Sequence, residues 1–121
     1  MKFNNNMPIY LQVIDDIKKD IVTGVLAMGD KLPSGRDLAL KYKINPNTAN
    51  RIYKELEAEE VCFTRRGIGT YITEEPEKIR SVKEKMAESL LKIFLEGMKN
   101  LGYTKEEVHN QIDEKYENEG R

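Results

Sequence analysis

The segment "INPNTANRIYKELE", Ile44 to Glu57, constrains this chain more than any other stretch. Asn45 before Pro46 reads as an N-cap followed by a proline in the first helical turn. A residue before proline is biased away from the α region, and proline there gives up only a donor that a helix start leaves unpaired. Behind this start, Ala49, Ile52, Tyr53 and Leu56 fall at i, i+3, i+4 and i+7, a stripe that must pack inward. A helix over Pro46 to about Glu59 is therefore predicted, with Asn47, Asn50, Arg51 and Lys54 left outside. Its leading turns carry amides, the Thr48 hydroxyl and a guanidinium but no acid before Glu55, although the helix dipole favours acids at that end. Two readings stand at this point: an ordinary solvated face, or a face shaped for a partner that acids would repel.

The chain around this helix is 121 residues long, enough for one compact domain with an appendage and too short for two ordinary domains. With 39% hydrophobic residues, 34% charged residues and a net charge of -1, whole-chain charge lends no support to nucleic-acid binding. Any such case must rest on local charge and motif. The lone cysteine, Cys62, has no partner for an internal disulfide and lies in an apolar context, which fits a small core residue and a reducing cytoplasm. "MKFNNNMPIY" lacks an apolar stretch of signal-peptide length, and no later run approaches the roughly 18 apolar residues of a membrane span. A cytoplasmic protein with no membrane contact is expected.

Upstream, a first helix reads from Pro8 to Val22 on Ile9, Val13, Ile17 and Ile21, closed by Gly24. A turn with a short extended piece follows through "DKLPS". Ser34 then caps a short second helix ending near Tyr42, with Asp37 at capping-box spacing. Downstream of the third helix, "VCFTRRGIGTYIT" reads as a β-hairpin with glycines at its tip. From Pro76 the composition turns to Lys, Glu and Leu. Ile79, Val82, Met86, Leu90, Ile93 and Met98, widened by Ala87, Leu91 and Phe94, give a long helix a broad apolar face. Thr104 and Glu107 start a last helix with a narrow seam of Val108, Ile112 and Tyr116, and its acidic tail is expected to fray.

A short helix, a tight turn, a helix with an acid-free leading face and a basic glycine-tipped hairpin together form the winged helix-turn-helix arrangement. In a major groove Asn pairs bidentately with adenine and Arg with guanine, a threonine methyl meets thymine, and an acid would meet phosphate charge. Recognition helices present their N-terminal residues to base edges, where this polar cluster lies. From Asp30 to Tyr71 eight basic residues face six acidic ones, but four of the acids gather at Glu55, Glu57, Glu59 and Glu60, the far end of the helix. Ser34 and Arg36 open the preceding helix, whose positive end suits a phosphate. Arg65 and Arg66 precede the hairpin glycines and suit a minor groove or the backbone.

The runs "PIYLQVIDDIKKDIVTGVLAMGDKLPSGRDLA", "INPNTANRIYKELEAEE" and "RRGIGTYI" resemble, in order and spacing, the DNA-binding domain of GntR-family bacterial transcription regulators, over about Pro8 to Ile72. "NPNT" in a chain this short resembles the YtrA subfamily, whose members carry a small two-helix tail. The resemblance implies DNA contacts by Ser34, Arg36, Asn45, Asn47, Thr48, Asn50 and Arg51, and by the wing residues Arg66, Gly67 and Gly69. It also implies association with transporter operons. Two departures stand out: Glu60 replaces a usual glycine after the recognition helix, and Gly35 fills a place usually held by a larger residue. The expected architecture is mainly α with a small β-hairpin wing, a winged helix-turn-helix over residues 1–75 and a two-helix dimerisation tail over 76–121.

Tyr10, Tyr42 and Tyr53 fall in apolar periodic positions and are expected in the core. His109 is the sole histidine, and with no cysteine pair a metal site is not expected; nor is a cofactor, for no phosphate loop, nucleophile motif or paired carboxylates stand out. An enzyme is not expected. The stripe of Ile79, Val82, Met86, Leu90, Ile93, Phe94 and Met98, with Val108 and Ile112, is too broad for a tail of about 45 residues to bury alone, so it is expected to form a homodimer. Two recognition helices would then meet pseudo-palindromic half-sites in double-stranded DNA, in the manner of a repressor. A groove between protomers has room for a small apolar or anionic effector. The rival reading is a winged-helix protein-interaction module, using the same polar face on a protein surface.

Overall fold

The structure, a computed structural model, describes residue 3 and residues 6–119. Five helices and one hairpin follow in order: α1 (Ile9–Val22), α2 (Gly35–Tyr42), α3 (Pro46–Ala58), β1 (Cys62–Arg65), β2 (Gly69–Ile72), α4 (Pro76–Asn100) and α5 (Lys105–Glu119). The chain is mainly helical with a small antiparallel wing, and it divides into two compact units at residues 84 and 85, inside α4.

In the first unit the helix starts are set by local hydrogen bonds. Ser34 Oγ accepts the Asp37 N–H at 3.1 Å, and Asn45 Oδ1 accepts the Asn47 N–H at 2.7 Å with Pro46 opening α3. At the other end of α3 the Val61 N–H reaches the Leu56 carbonyl and the Glu60 N–H reaches Glu57, the double bond of a Schellman close. That close needs a left-handed residue, and Glu60 supplies it at φ 61°, as its replacement of a glycine suggests. Lys78 pairs with the Glu60 carboxylate at 2.6 Å, and this hydrogen bond and charge hold that carboxyl below its usual range. Lys43, at φ 56°, makes the same kind of close after α2.

The core of this unit lies between α1, α2 and α3 and the base of the hairpin. Val13, Ile17 and Ile21 of α1, Leu38 of α2, and Ala49, Ile52 and Leu56 of α3 are buried with Val61 and Ile72. The four-residue strands pair antiparallel with Cys62 opposite Ile72 and Arg65 opposite Gly69. The extended piece before α2 lies along β2: the Leu32 N–H donates to Thr70 and the Ile72 N–H to Asp30. Burial pushes the Cys62 thiol up to about 12, with the Glu57 charge adding to it. Tyr42 and Tyr53 are also buried, and each hydroxyl has its partner: Tyr42 donates to Asp16 of α1 at 2.6 Å, and Tyr53 donates to the Pro33 carbonyl. Burial, chiefly, raises both phenols far above their ordinary value.

In the second unit the Gly102 N–H and Tyr103 N–H close α4 on the Lys99 and Met98 carbonyls, with Gly102 at φ 85°. Thr104 and Glu107 exchange side-chain-to-backbone bonds at 3.2 and 2.9 Å, the capping box expected from their spacing. The acidic end does not fray within the described residues: α5 stays helical to Glu119, and the last two positions of the chain lie outside them. The stripe on α4 is unevenly covered. Val82 is buried and Ile79 half-buried in the first unit, Met86 and Met98 are half-buried, while Leu90, Leu91, Ile93 and Phe94 are exposed. Among the described side chains of α5 only Val108 is buried.

Candidate nucleic-acid interface

The leading face of α3 follows from its caps and its stripe. With Ala49, Ile52, Tyr53 and Leu56 turned into the core, the 3.6-residue period turns Asn47, Asn50, Arg51 and Lys54 to the exterior, and all four are exposed. Thr48 is half-buried, and Asn45 is exposed but uses its oxygen as the cap. No acid interrupts this surface. Three of the four acids at the far end of α3 are engaged elsewhere: Glu57 accepts from Thr64 of β1 at 2.7 Å, Glu59 pairs with Lys18 of α1 at 2.7 Å, and Glu60 pairs with Lys78. The positive helix end and its amides are thus left without a competing carboxylate on the same element.

Two contacts brace this face. The Arg51 guanidinium lies over the Tyr10 ring, 3.8 Å from its centre, so a half-buried tyrosine of α1 carries the arginine on its face. Tyr10 is therefore a support at the edge of the core, more exposed than the core position its period suggests. The Asn50 carboxamide lies against Gly35 at the start of α2, so the two helices of the motif meet at their polar ends. Tyr53 fixes the same junction from inside, since its partner Pro33 immediately precedes Ser34. Ser34 and Arg36 are both exposed there; the serine oxygen caps α2 and keeps its O–H available as a donor.

At the wing, the Ile68 N–H bonds back to the Arg65 carbonyl at 2.9 Å, a turn that requires Gly67 at φ 77°. Gly67 has open space where a side chain would be, whereas a Cβ on Gly69 would lie 2.6 Å from Lys31 Cε. Arg65 and Arg66 are exposed, with the Arg65 guanidinium 5.6 Å from the Phe63 ring centre. Phe63 stacks on Tyr71 across the strands at 5.9 Å, which stiffens the hairpin below its tip. Sequence reasoning missed three residues here. Lys31 brings a cation to the wing through its bridge to Tyr71, Ile68 puts an exposed apolar side chain at the tip, and Tyr10 holds Arg51. The alternation around Lys31 carried a weak signal for the first; the other two depend on contacts and exposure that spacing does not encode.

Among the described residues no group of three His, Cys, Asp or Glu is placed to hold a metal ion, and no helix is long and apolar enough to cross a membrane. What the site offers is hydrogen-bond donors, amides and fixed positive charge on a rigid scaffold. The second unit has a different character. A cleft of about 460 Å³ between α4 and α5 is lined by Leu91, Phe94, Leu95, Val108 and Ile112, with Lys99, Lys105 and His109 at its border.

Comparison with known proteins places this geometry. The family model described as bacterial regulatory proteins, gntR family, matches residues 9–72. The chain is 45% identical over 107 residues to the HTH-type transcriptional regulator YhcF of Bacillus subtilis, covering 88% of each chain. It is 38% identical to the HTH-type transcriptional repressor YtrA of the same organism, over 91% of this chain and 85% of that one. A solved GntR family transcriptional regulator from Listeria monocytogenes superposes with a TM-score of 0.87 at 39% identity, over 93% of this chain and 98% of the other.

Proposed function

Because the chain belongs to the GntR family of bacterial regulatory proteins, DNA-binding transcription regulators, we propose that it is a cytoplasmic homodimeric repressor that occupies a pseudo-palindromic operator. The observation that carries this reading is the exposed, acid-free leading face of α3, flanked by the start of α2 and by a glycine-tipped basic wing. Asn47, Asn50 and Arg51 read base edges in the major groove, each good contact contributing about 1 to 3 kcal/mol of discrimination. Ser34, Arg36, Lys54 and the wing arginines hold the phosphate backbone and set the register. Nothing in this mechanism requires bond-making chemistry.

Dimerisation is supported by the second unit. Leu90 is 69% exposed and Ile93 70% exposed, next to Leu91 and Phe94 and an open apolar cleft. Among the described residues beyond position 84, Val108 is the one buried side chain of these helices, too little to stand alone in water. A second copy of the same helices covers this surface in a two-fold arrangement, and the two recognition helices then address half-sites separated by about one helical turn or a multiple of it. The repressor assignment follows the YtrA relative, a transcriptional repressor.

The test is selection of duplexes from a random DNA library by the purified protein at low and near-physiological salt. Enrichment of a pseudo-palindrome that persists at the higher salt is expected, with Arg36→Ala and Asn50→Ala each weakening binding to it by about tenfold or more. Equal affinity in both variants would remove the assigned face. Binding without sequence enrichment and with little salt dependence would move the surface to a protein partner, because DNA affinity falls steeply as salt opposes counterion release. Sedimentation as a monomer at micromolar concentration would remove the dimer.

A further inference from the structure

We infer that Gly35 is a positioning residue for Asn50, the glycine supplying the space in which the recognition-helix carboxamide rests and so setting how that amide meets a base pair; this rests on the reading of α3 as the DNA-facing helix. Gly35 opens α2 directly after the Ser34 cap and has no left-handed backbone that would call for glycine. A Cβ built there would nonetheless lie 2.5 Å from Asn50 Oδ1 and 3.7 Å from its Cγ. The volume that any other residue would fill with its first side-chain carbon is taken by the asparagine amide. Helix propensity points the other way, since glycine is a poor helix former and alanine the best.

The resting place has a direction. Asn50 Oδ1 lies against the first turn of α2, the positive end of that helix, while Asn50 itself remains exposed on the face shared with Asn47 and Arg51. Bidentate reading of adenine needs both the oxygen and the NH₂ of an asparagine amide in one plane along the base edge. A side chain at position 35 displaces the amide from α2 and changes that plane without touching DNA. Because the atom in the way is the far end of a flexible side chain, the displacement falls on Asn50 and leaves the backbone in place.

The experiment is a double-mutant cycle on the selected operator and on a library randomised one base pair at a time, using Gly35→Ala, Asn50→Ala and the double variant of the full chain. Gly35→Ala is expected to unfold at or above the temperature of the parent, to lose about threefold to tenfold in operator affinity, and to change preference at one base pair per half-site. In the Asn50→Ala background the same substitution is expected to change neither quantity, so that the two effects do not add. Additive effects, or an unchanged base preference in Gly35→Ala while Asn50→Ala relaxes it, would overturn the inference and leave the DNA-facing reading standing. A lowered unfolding temperature in Gly35→Ala would also overturn it, by showing that the backbone and not Asn50 gives way. Asn50→Ala with undiminished operator affinity would instead remove the DNA-facing reading, and this inference with it.

Discussion

The two units of this chain carry the same kind of apolar stripe and meet opposite fates. On α3 the residues at i, i+3, i+4 and i+7 are at most 7% exposed, against α1, α2 and the hairpin base. On α4 a comparable run leaves Leu90 69% and Ile93 70% exposed. Periodicity names the face of a helix that avoids water; it does not name what covers it. In the first unit three helices and a hairpin supply the cover within the chain, and in the second Leu90, Leu91, Ile93 and Phe94 are left exposed, the surface assigned above to the proposed dimer.

Substitutions separate the two regions. Leu56→Ala in the finished core is expected to reduce the unfolding free energy by about 2 to 5 kcal/mol, because a fully buried leucine leaves a cavity that its neighbours only partly close. Denaturant titration checks it, and a loss under about 1 kcal/mol would mean the core is looser than its burial indicates. Ile93→Asp in the open stripe is expected to leave the first unit's unfolding unchanged while abolishing the proposed dimer, as read by sedimentation. Operator affinity should then fall by roughly 10²-fold as the second half-site ceases to be held nearby. If Ile93→Asp unfolds the whole chain, the two regions are one cooperative unit and the contrast fails.

A smaller effect sharpens the comparison from the other side, since the finished unit holds two left-handed residues that are not glycine, Lys43 and Glu60, and the second stands where a glycine is usual. Glu60→Gly removes the left-handed strain and gives up an exposed ion pair of little worth, and a rise of a few degrees in the melting temperature is expected. The smallest effect is on acid stability. The Glu60 carboxyl is held below its ordinary value by the Lys78 hydrogen bond and charge. Its contribution is therefore present above the unfolded carboxylate value and lost as pH falls through the depressed one. Melting curves of Lys78→Met and the parent should converge as pH falls through that window; a constant gap would assign the difference to packing.

Much of the architecture was legible because it is written locally. Asn45 with Pro46, Ser34 with Asp37, and Thr104 with Glu107 each pair a cap with its helix within three residues, and the structure has all three helix starts where those pairs lie. The replacement of a glycine by Glu60 likewise announced a strained helix end. What was not legible joins residues far apart in sequence. Arg51 on Tyr10 and Lys31 beside Gly69 span 41 and 38 positions, and nothing in either segment alone specifies the meeting. The division inside α4 was also hidden, because the apolar run continues across residue 84 while its cover in the first unit, Val82 buried and Ile79 half-buried, is set by contacts that spacing does not encode.

Cys62 carries a last consequence. With its side chain buried and its thiol pushed up to about 12, Cys62 holds very little thiolate at neutral pH. Peroxide and disulfide reagents act on thiolates, and this chain has no second sulfhydryl to trap an oxidised one. A buried, weakly acidic thiol is a poor target for oxidants, and preparations left in air should keep their DNA-binding titre without added reductant; a loss reversed by reductant would show that Cys62 is reached.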